Sequence, residues 1–319
     1  MHRRLSAAGR LWLEQQGGGG AGLRECHRPG CGDRRRRQDL HRRDNHPDLY
    51  WAARGAGPGF FAVVTAFHLK LYKKPAVLGS SFYAYPIELA DEIFTWARGI
   101  SAEVDRRVEL QIVATKSVPN AGIDRPAIVM ASPGVRRHRG RGQGAFGILD
   151  RCPVVDKALA AFPYAPVPLA DWYTAVMSNY LEDHRYTADN MWTNASAEEL
   201  MPGIHRILDT LPPHPPSHFL WLNWGPSPQR QDMAYSLESE IYLALYAGWM
   251  DPADDEKYGD WPRSNMASMA SLATGIQLAD ENLGRRPAKF VTDENMARLD
   301  EVRAQYDPDG RFHSWMGRV

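Results

Sequence analysis

The sequence has few cysteines, no long apolar run and no net charge. Three cysteines, Cys26, Cys31 and Cys152, are too few for a disulfide framework and favour a reducing compartment, with a cytoplasmic location as the default. No apolar run approaches the roughly 20 residues that cross a bilayer, and the N-terminus has no sustained apolar core, so neither a membrane partner nor an export signal is predicted. The formal net charge is +0, which gives the whole molecule no electrostatic reason to bind nucleic acid.

Two islands differ from the rest of the 319 residues. Residues 1–46 are rich in arginine and glycine, and residues 133–147 form a second, irregular island of the same kind. Neither has a helical or strand periodicity that would bury one face. We predict that residues 1–46 are disordered, and we hypothesise that both islands come from a shifted reading frame.

Elsewhere strands and helices alternate without a parallel β-α-β order, which predicts an α+β fold with helices on one face of a sheet. Helices are predicted at 88–100, 154–162, 195–211 and 292–306, and a surface loop at 251–260. Ser196 and Glu199 form a capping-box pattern, and Thr292 is the candidate N-cap of the last helix.

A glycine-rich segment carries the clearest chemical signal. Gly55, Gly57 and Gly59 stand at alternate positions and are followed by a β-branched and aromatic run. Glycines allow a loop to approach a ligand closely and to present backbone N–H groups to it. Among glycine-rich segments, however, tight turns with a purely structural role are roughly several times commoner than loops that bind a phosphate or a flavin. The dinucleotide fingerprint does not fit, because this loop leads into a strand instead of a helix.

The segment DLYWAARGAGPGFFAVVTAF, residues 48–67, resembles the end of the flavin-binding domain in berberine-bridge-enzyme-like oxidases. These belong to the vanillyl-alcohol-oxidase family, with a PCMH-type FAD-binding domain, and their usual form is DLFWALRGGGGNFGVVT. YDPDGRFH, residues 306–313, resembles the C-terminal signature of the same family. Pro58 and Ala62 depart from the pattern, and Pro58 removes a donor N–H.

The resemblance implies the residual part of a PCMH-type FAD-binding domain plus a substrate domain of antiparallel sheet with flanking helices. Residues 47–75 would be the C-terminal part of the FAD-binding domain, 76–275 the substrate domain, and 276–319 a segment that returns to the FAD domain. No segment matches the family's R-G-G-G-H-S-like loop, so an N-terminally truncated member is expected.

The implied cofactor is FAD, and the resemblance places a set of residues near it. These are Gly55, Gly57, Gly59, Phe60, Val63, Gln277, Asp280 and Asn282.

The implied reaction is hydride transfer to the flavin from an alcohol, a sugar or a secondary-metabolite-like small molecule, with a base that takes the hydroxyl proton. Tyr186, Asn190 and Trp192 are candidates to line the substrate pocket or to act there. The alternative for residues 184–195 is an irregular loop whose aromatic side chains pack on the sheet. For the whole chain, the alternative is a non-catalytic fragment or pseudoenzyme.

Two further hypotheses are weighed and set aside. Cys26–Cys31 lacks a second ligand pair at zinc spacing, so no metal site is predicted. The basic run Arg34–Arg43 is expected to be a solvated or artefactual stretch and not a nucleic-acid site. The oligomeric state stays open.

Overall fold

The computed structural model describes residues 26–32, 38–40, 46–69, 75, 77–136, 147–178, 180–227 and 229–314. The chain divides into two compact units. The first comprises Met1–Lys73, Ser227–Glu238 and Gly275–Val319, and the second comprises Lys74–Pro226 and Ser239–Thr274. The divisions predicted near residues 75 and 275 lie close to these boundaries.

Ser227–Glu238 requires a correction, since the sequence-based division assigns it to the substrate domain. The backbone N–H of Ala234 donates to the Trp51 carbonyl at 3.2 Å, and that of Tyr235 donates to the Arg54 carbonyl at 2.9 Å. These bonds pair backbone groups that would be costly to bury alone. The segment is therefore part of the first unit.

The described residues contain the following regular elements. The strands are β1 (Cys26–Gly32), β2 (Gln38–Leu40), β3 (Val63–Leu69), β4 (Val77–Pro86), β5 (Leu110–Thr115), β6 (Ala127–Ala131), β7 (Gly134–Arg136), β8 (Ala160–Pro166), β9 (Arg185–Thr193), β10 (His218–Asn223), β11 (Ile241–Trp249) and β12 (Ala273–Gly275). The α-helices are α1 (Pro47–Ala53), α2 (Ala90–Gly99), α3 (Leu169–Met177), α4 (Ala197–Thr210), α5 (Asp255–Gly259), α6 (Trp261–Ser268) and α7 (Asp293–Tyr306).

The first unit contains a three-stranded antiparallel sheet in the order β2-β1-β3. Strands β1 and β2 lie inside residues 1–46, for which the sequence predicts disorder. Backbone pairing needs no side-chain periodicity, which explains why the pattern gives no sign of them. The remainder of that segment, like residues 137–146 of the second island, lies outside the described residues.

The core of the first unit joins segments that are far apart in the sequence. Leu49, Trp51 and Phe61 from the glycine-rich region are buried together with Ile276, Leu283, Phe290, Val291, Leu299 and Val302.

The second unit is built on a nine-stranded sheet in the order β12-β9-β11-β10-β5-β6-β4-β7, with β8 also paired to β4. The pairs from β9 to β7 along this order are antiparallel, as is β4 with β8. All nine residues of β11 are buried, so this strand is covered on both faces.

One face of the sheet carries the main hydrophobic core. Phe94 of α2 lies 5.5 Å from Phe219 and 5.4 Å from Trp221, measured between ring centroids. Buried residues of α4 and α6, among them Ile204 and Met266, join the same cluster. Helices on one face of an antiparallel sheet give the predicted α+β class.

Two local predictions are wrong. Residues 154–162, predicted to be a helix, form a short 3-10 turn at Val155–Lys157 and the start of β8. The pairing of β8 with β4 overrides the local helical pattern. Residues 251–260, predicted to be a surface loop, contain α5, whose first turn carries Asp255 and Glu256 near the helix N-terminus.

Two helix N-termini are built as predicted. Ser196 accepts from the Glu199 N–H while the Glu199 side chain accepts from the Ser196 N–H, which completes the capping box of α4. Thr292 accepts from the Asn295 N–H at the start of α7.

Removing either cap should weaken the fold measurably. Ser196→Ala and Thr292→Ala are each expected to lower the free energy of unfolding by about 1 kcal/mol, because each leaves an N-terminal N–H without its acceptor. Urea unfolding followed by circular dichroism measures the change. Ser271→Ala, at an exposed position, is the control. Equal losses in all three variants would contradict the capping argument.

Candidate functional site

Strand β9 places the three predicted pocket residues on one side of the sheet. Tyr186, Asn190 and Trp192 occupy alternate positions of the strand, so their side chains share a face. This face, opposite α2, α4 and α6, is called the distal face; it also carries Tyr242 and Tyr246 of β11. Residues 185–193 are therefore a strand, and the alternative of an irregular loop is wrong there.

Trp192 forms an aromatic corner on the distal face. Its ring centroid lies 4.9 Å from that of Trp224 and 4.9 Å from that of Tyr242. Trp192 is fully buried, and its indole N–H has no hydrogen-bond acceptor among the described residues. The buried indoles of Trp51 and Trp221 do find acceptors, at 2.7 and 2.8 Å. The corner is thus apolar, with one donor that the described residues leave unsatisfied.

Asn190 is fully buried and lies two residues before Trp192 in β9, on the same face. In the sheet register it stands opposite Ala244, and Ala188 stands opposite Tyr246. Small side chains therefore separate the Trp192 corner from Tyr246.

Tyr186 is held in place by its own loop. Its hydroxyl lies 2.7 Å from the Leu181 N–H and 3.1 Å from the Leu181 carbonyl, so it accepts from one and donates to the other. Burial raises the pKa of Tyr186, which the Leu181 N–H partly opposes. A phenol that is both hydrogen-bonded and harder to ionise is a poor base. Its role is to anchor the turn that precedes β9.

Glu109, not identified from the sequence, is a buried carboxyl just before β5. Burial raises its pKa to about 8, and the hydrogen bond from the Gln111 amide only partly opposes this. No cation pairs with it among the described residues. The isolated Glu in a run of strand-forming residues, VELQIVAT, is the sequence signal that could have indicated it.

Glu109 should make stability depend on pH. Its folded-state pKa lies above the ordinary value of 4.5, so the fold favours the protonated form, and stability is lost as pH rises from about 4.5 towards 8. Glu109→Gln is expected to raise the free energy of unfolding at pH 8 by roughly 2 to 4 kcal/mol and to have little effect at pH 4.5. Urea titrations at the two pH values, with exposed Glu88→Gln as control, measure this. The same change at both pH values would contradict it.

The predicted cofactor residues lie in the first unit, where the glycine loop is shaped by close packing. Gly55 has φ +148°, and a Cβ there would lie 2.0 Å from the Tyr235 backbone nitrogen. Gly57 has φ +57°, and a Cβ there would lie 2.4 Å from Cδ1 of Leu278. Gly55 is therefore required by packing against the Tyr235 backbone, and Gly57 by its left-handed conformation.

The same packing joins the two predicted cofactor segments. The turn Gly57–Gly59 contacts the turn Leu278–Asp280, so the glycine loop and residues 277–282 are neighbours. Gln277 is buried, and Asp280 and Asn282 are half-buried. The Asn282 side-chain Nδ2 is buried without an acceptor among the described residues.

The loop also has an exposed side. Gly57 and Pro58 are exposed, and Val63 is 58% exposed although it is apolar. Phe60 is half-buried and packs on Phe61 at 5.2 Å. The segment thus offers an exposed apolar side chain and accessible glycine backbone, and the neighbouring segment offers a buried amide donor. These groups would suit a flat cofactor that is partly apolar and partly a hydrogen-bond acceptor.

Arg303 of α7 ties the loop to the C-terminal signature. Its Nη2 donates to the Gly59 carbonyl at 3.1 Å and to the His313 carbonyl at 2.7 Å, while Nη1 donates to the Phe312 carbonyl at 3.1 Å. Nη1 also lies 3.3 Å from Oδ2 of Asp307. Arg303 thus bridges the two segments on which the family resemblance rests.

Asp307 is the anionic partner in this arrangement. Burial would raise its pKa, but the N–H groups of Phe312 and Arg311 and the Arg303 guanidinium outweigh that effect and lower it below 3.8. Its stabilising contribution is therefore full above its ordinary pKa and is lost as pH falls through the lower, folded-state value. Nearby, the Tyr306 hydroxyl donates to Asp48 at 3.1 Å. This bond links the first residue of the C-terminal signature, 306–313, to the first residue of the glycine-rich segment, 48–67.

Arg303→Met should destabilise the first unit strongly. We expect a loss of about 3 kcal/mol, because the buried Asp307 carboxylate loses its cation and three carbonyls lose a donor. Hydrogen exchange of α7 amides and urea unfolding measure the loss. The matched control is Arg311→Met, since the ion pair of Arg311 with Asp309 is exposed and is expected to contribute less than about 1 kcal/mol. Similar losses in both variants would contradict the role of Arg303.

No cluster of three or more His, Cys, Asp or Glu side chains suited to a metal is present in the described part of the chain. The Cys26 and Cys31 side chains and most of Arg34–Arg43 lie outside the described residues. Cys152 is a buried free thiol. Among the described helices, none combines the length and the apolar character needed to cross a membrane.

Comparison with known proteins places these features in context. No family model matches the chain. It is 28% identical over 268 residues to the FAD-linked oxidoreductase ptmO of Penicillium ochrochloron, covering 83% of this chain and 58% of that protein. It is 27% identical over 279 residues to the FAD-linked oxidoreductase nodO of Hypoxylon pulicicidum, with the same two coverages. The chain thus spans about 58% of the length of these curated relatives.

Solved structures share the fold. The 6-hydroxy-D-nicotine oxidase of Arthrobacter nicotinovorans matches with a TM-score of 0.72 and 18% identity, over 96% of this chain and 69% of that one. BBE-like 1 of Physcomitrella patens matches with a TM-score of 0.75 and 12% identity, over 97% and 69%. The predicted resemblance to berberine-bridge-enzyme-like FAD-linked oxidases and the predicted α+β fold are confirmed.

Proposed function

We propose that this chain is an FAD-dependent oxidoreductase, in which a hydride leaves an alcohol, a sugar or a secondary-metabolite-like small molecule. The observation that carries the proposal is the contact between the glycine loop and residues 277–282. Arg303 holds the loop by a hydrogen bond to the Gly59 carbonyl, and the apolar side chain of Val63 is exposed. The named relatives are FAD-linked oxidoreductases, which supports the same chemistry here.

In this proposal the first unit holds the cofactor. Gly57 offers accessible backbone, Val63 an apolar contact, and Asn282 an amide donor for an acceptor atom. Gly55 and Gly59 act indirectly, because they set the path of the loop. A bound flavin supplies the two-electron acceptor for the hydride.

The distal face of the second unit binds the substrate in this proposal. Trp192, Trp224 and Tyr242 provide aromatic surface, and Asn190 and the Trp192 N–H provide polar groups among them. A small-molecule substrate, with no nucleic-acid or membrane partner, agrees with the neutral charge of the chain. The free thiol of Cys152 supports a cytoplasmic location.

Flavin binding is the decisive measurement. The purified full chain, mixed with FAD and freed of excess by gel filtration, is expected to keep the visible absorption bands of flavin. Val63→Asp should weaken FAD binding at least about tenfold, because a carboxylate would replace an apolar contact. Since Val63 is 58% exposed, the fold should tolerate the change.

Met250→Asp is the matched control, because Met250 is 62% exposed and belongs to the second unit. A folded wild-type chain that stays colourless with FAD would support the alternative of a non-catalytic protein. Equal weakening in the two variants would reject the proposed role of Val63 while leaving flavin binding in place.

A further inference from the structure

His218 is the first residue of β10 and lies on the distal face. Its neighbours in the sheet register are Tyr246 on β11 and Thr115 on β5. The rings of His218 and Tyr246 are stacked, with centroids 4.6 Å apart and planes at 20°. Tyr180 meets Tyr246 edge-on at 6.4 Å. The ring of His218 is thus held in one orientation, and the residue remains partly exposed.

One hydrogen bond decides the tautomer of His218. Its Nδ1 lies 2.9 Å from the carbonyl oxygen of Pro216. A carbonyl only accepts, so Nδ1 must carry the proton, and in the neutral ring Nε2 is then an acceptor. Burial lowers the pKa of His218 below its ordinary value of 6.5, and the Pro216 carbonyl opposes this only in part. The ring is therefore neutral near pH 7.

The surroundings of the ring leave Nε2 available. The phenols nearest the ring are those of Tyr246, stacked on it, and Tyr180, edge-on to Tyr246. The other titratable residues of the adjoining elements are His184, Arg185, Tyr186 and Asp189 at β9, Tyr242 of β11, and Lys116 just after β5. Arg185 pairs with Asp255, and Asp189 lies opposite Leu245 on the helix side of the sheet. Among the described residues, no side chain donates a hydrogen bond to Nε2 of His218. The combination of a fixed Nδ1–H and an acceptor at Nε2 is the arrangement that a general base requires.

We infer that Nε2 of His218 accepts the hydroxyl proton of an alcohol substrate bound on the distal face. This assignment rests on the proposed function. The O–H bond breaks as its proton passes to Nε2, and the electron pair left on oxygen forms the carbon–oxygen double bond as the C–H hydrogen leaves with its own pair. A flavin held by the chain would supply the acceptor for that hydride. The imidazolium later returns the proton to solvent, so charge and atoms balance.

The other polar groups of the distal face are unsuited to this step. The Tyr186 hydroxyl is bonded to Leu181, the Asn190 amide is not basic, and the Trp192 indole only donates. Glu109, with its pKa of about 8, is largely protonated at neutral pH. It also lies six residues from Thr115 along the chain, or roughly 20 Å of extended strand.

A first experiment examines the imidazole directly. In the full chain labelled with 15N-histidine, His218→Asn identifies the His218 resonances. We expect a neutral ring protonated at Nδ1, a pKa below 6.5, and an Nε2 resonance that shifts with benzyl alcohol but not with toluene. A ring protonated at Nε2, a pKa of 6.5 or above, or an Nε2 unaffected by benzyl alcohol would overturn the assignment.

A second experiment measures anaerobic flavin reduction by the fastest of a panel of aromatic and aliphatic alcohols. His218→Asn retains an amide that can reach the Pro216 carbonyl but removes Nε2. It should slow reduction about 100-fold or more and abolish the fall in rate at acidic pH. His214→Asn is the control, since His214 packs edge-on against Tyr258 at 4.9 Å and should change the rate less than about twofold.

The two proposals can fail separately. A wild-type chain without flavin bands overturns the proposed function and, with it, the base assignment. A flavin-loaded chain that no alcohol reduces, or in which both histidine variants reduce as fast as the wild type, overturns the base assignment alone. Equal slowing in both variants would also reject a specific role for His218.

Discussion

The guanidinium of Arg303 is the interaction on which the first unit depends. It donates to carbonyls of the glycine loop and of the C-terminal signature, and it stands beside the buried carboxylate of Asp307. A planar guanidinium can serve several acceptors at once, which a lysine ammonium cannot do with the same geometry. Without it, the Gly59 carbonyl and the C-terminal signature would lose the side chain that joins them.

The sheet of the second unit imposes a different constraint. Strand β11 is buried throughout, so polar groups on its neighbours must be satisfied within the protein or by a ligand. On the helix side, Asn223 accepts from the Trp221 indole and donates to the Ala97 carbonyl. On the distal face, the Trp192 N–H has no acceptor among the described residues, and the Glu109 carboxyl, which accepts from the Gln111 amide, has no cation beside it there. Unsatisfied groups and carboxyls with shifted pKa values of this kind are frequent where proteins bind small molecules.

Much of the fold could be predicted from local patterns. The helix at 195–211 with its capping box and the last helix with Thr292 depend on short-range spacing, which a sequence displays directly. The helix predicted at 154–162 is wrong because strand pairing with β4 decides that segment. Ser227–Glu238 escapes prediction for a related reason, since its partners are carbonyls about 180 residues earlier.

The candidate site was predictable only in part. The sequence named Asn190 and Trp192 as pocket candidates by residue type, whereas their position on one strand face is seen only in the structure. No pattern shows that the Leu181 backbone hydrogen-bonds the Tyr186 hydroxyl. Nor does the sequence reveal the tautomer of His218, which depends on the position of a single carbonyl. The resemblance identified both signature segments, whereas their mutual contact through Tyr306 and Asp48 becomes visible only in three dimensions.

The discontinuity of the first unit also has a consequence for synthesis of the chain. Trp51 bonds to Asp232, Gly59 to Arg303 and Asp48 to Tyr306, so that unit closes across 181, 244 and 258 residues. As the ribosome releases the chain from its N-terminus, the glycine loop emerges long before its partners. The second unit, whose residues all lie between Lys74 and Thr274, can fold in the meantime, and the first unit must be completed last. Until then Trp51 and Phe61, which are buried in the finished unit, lack the later residues that cover them.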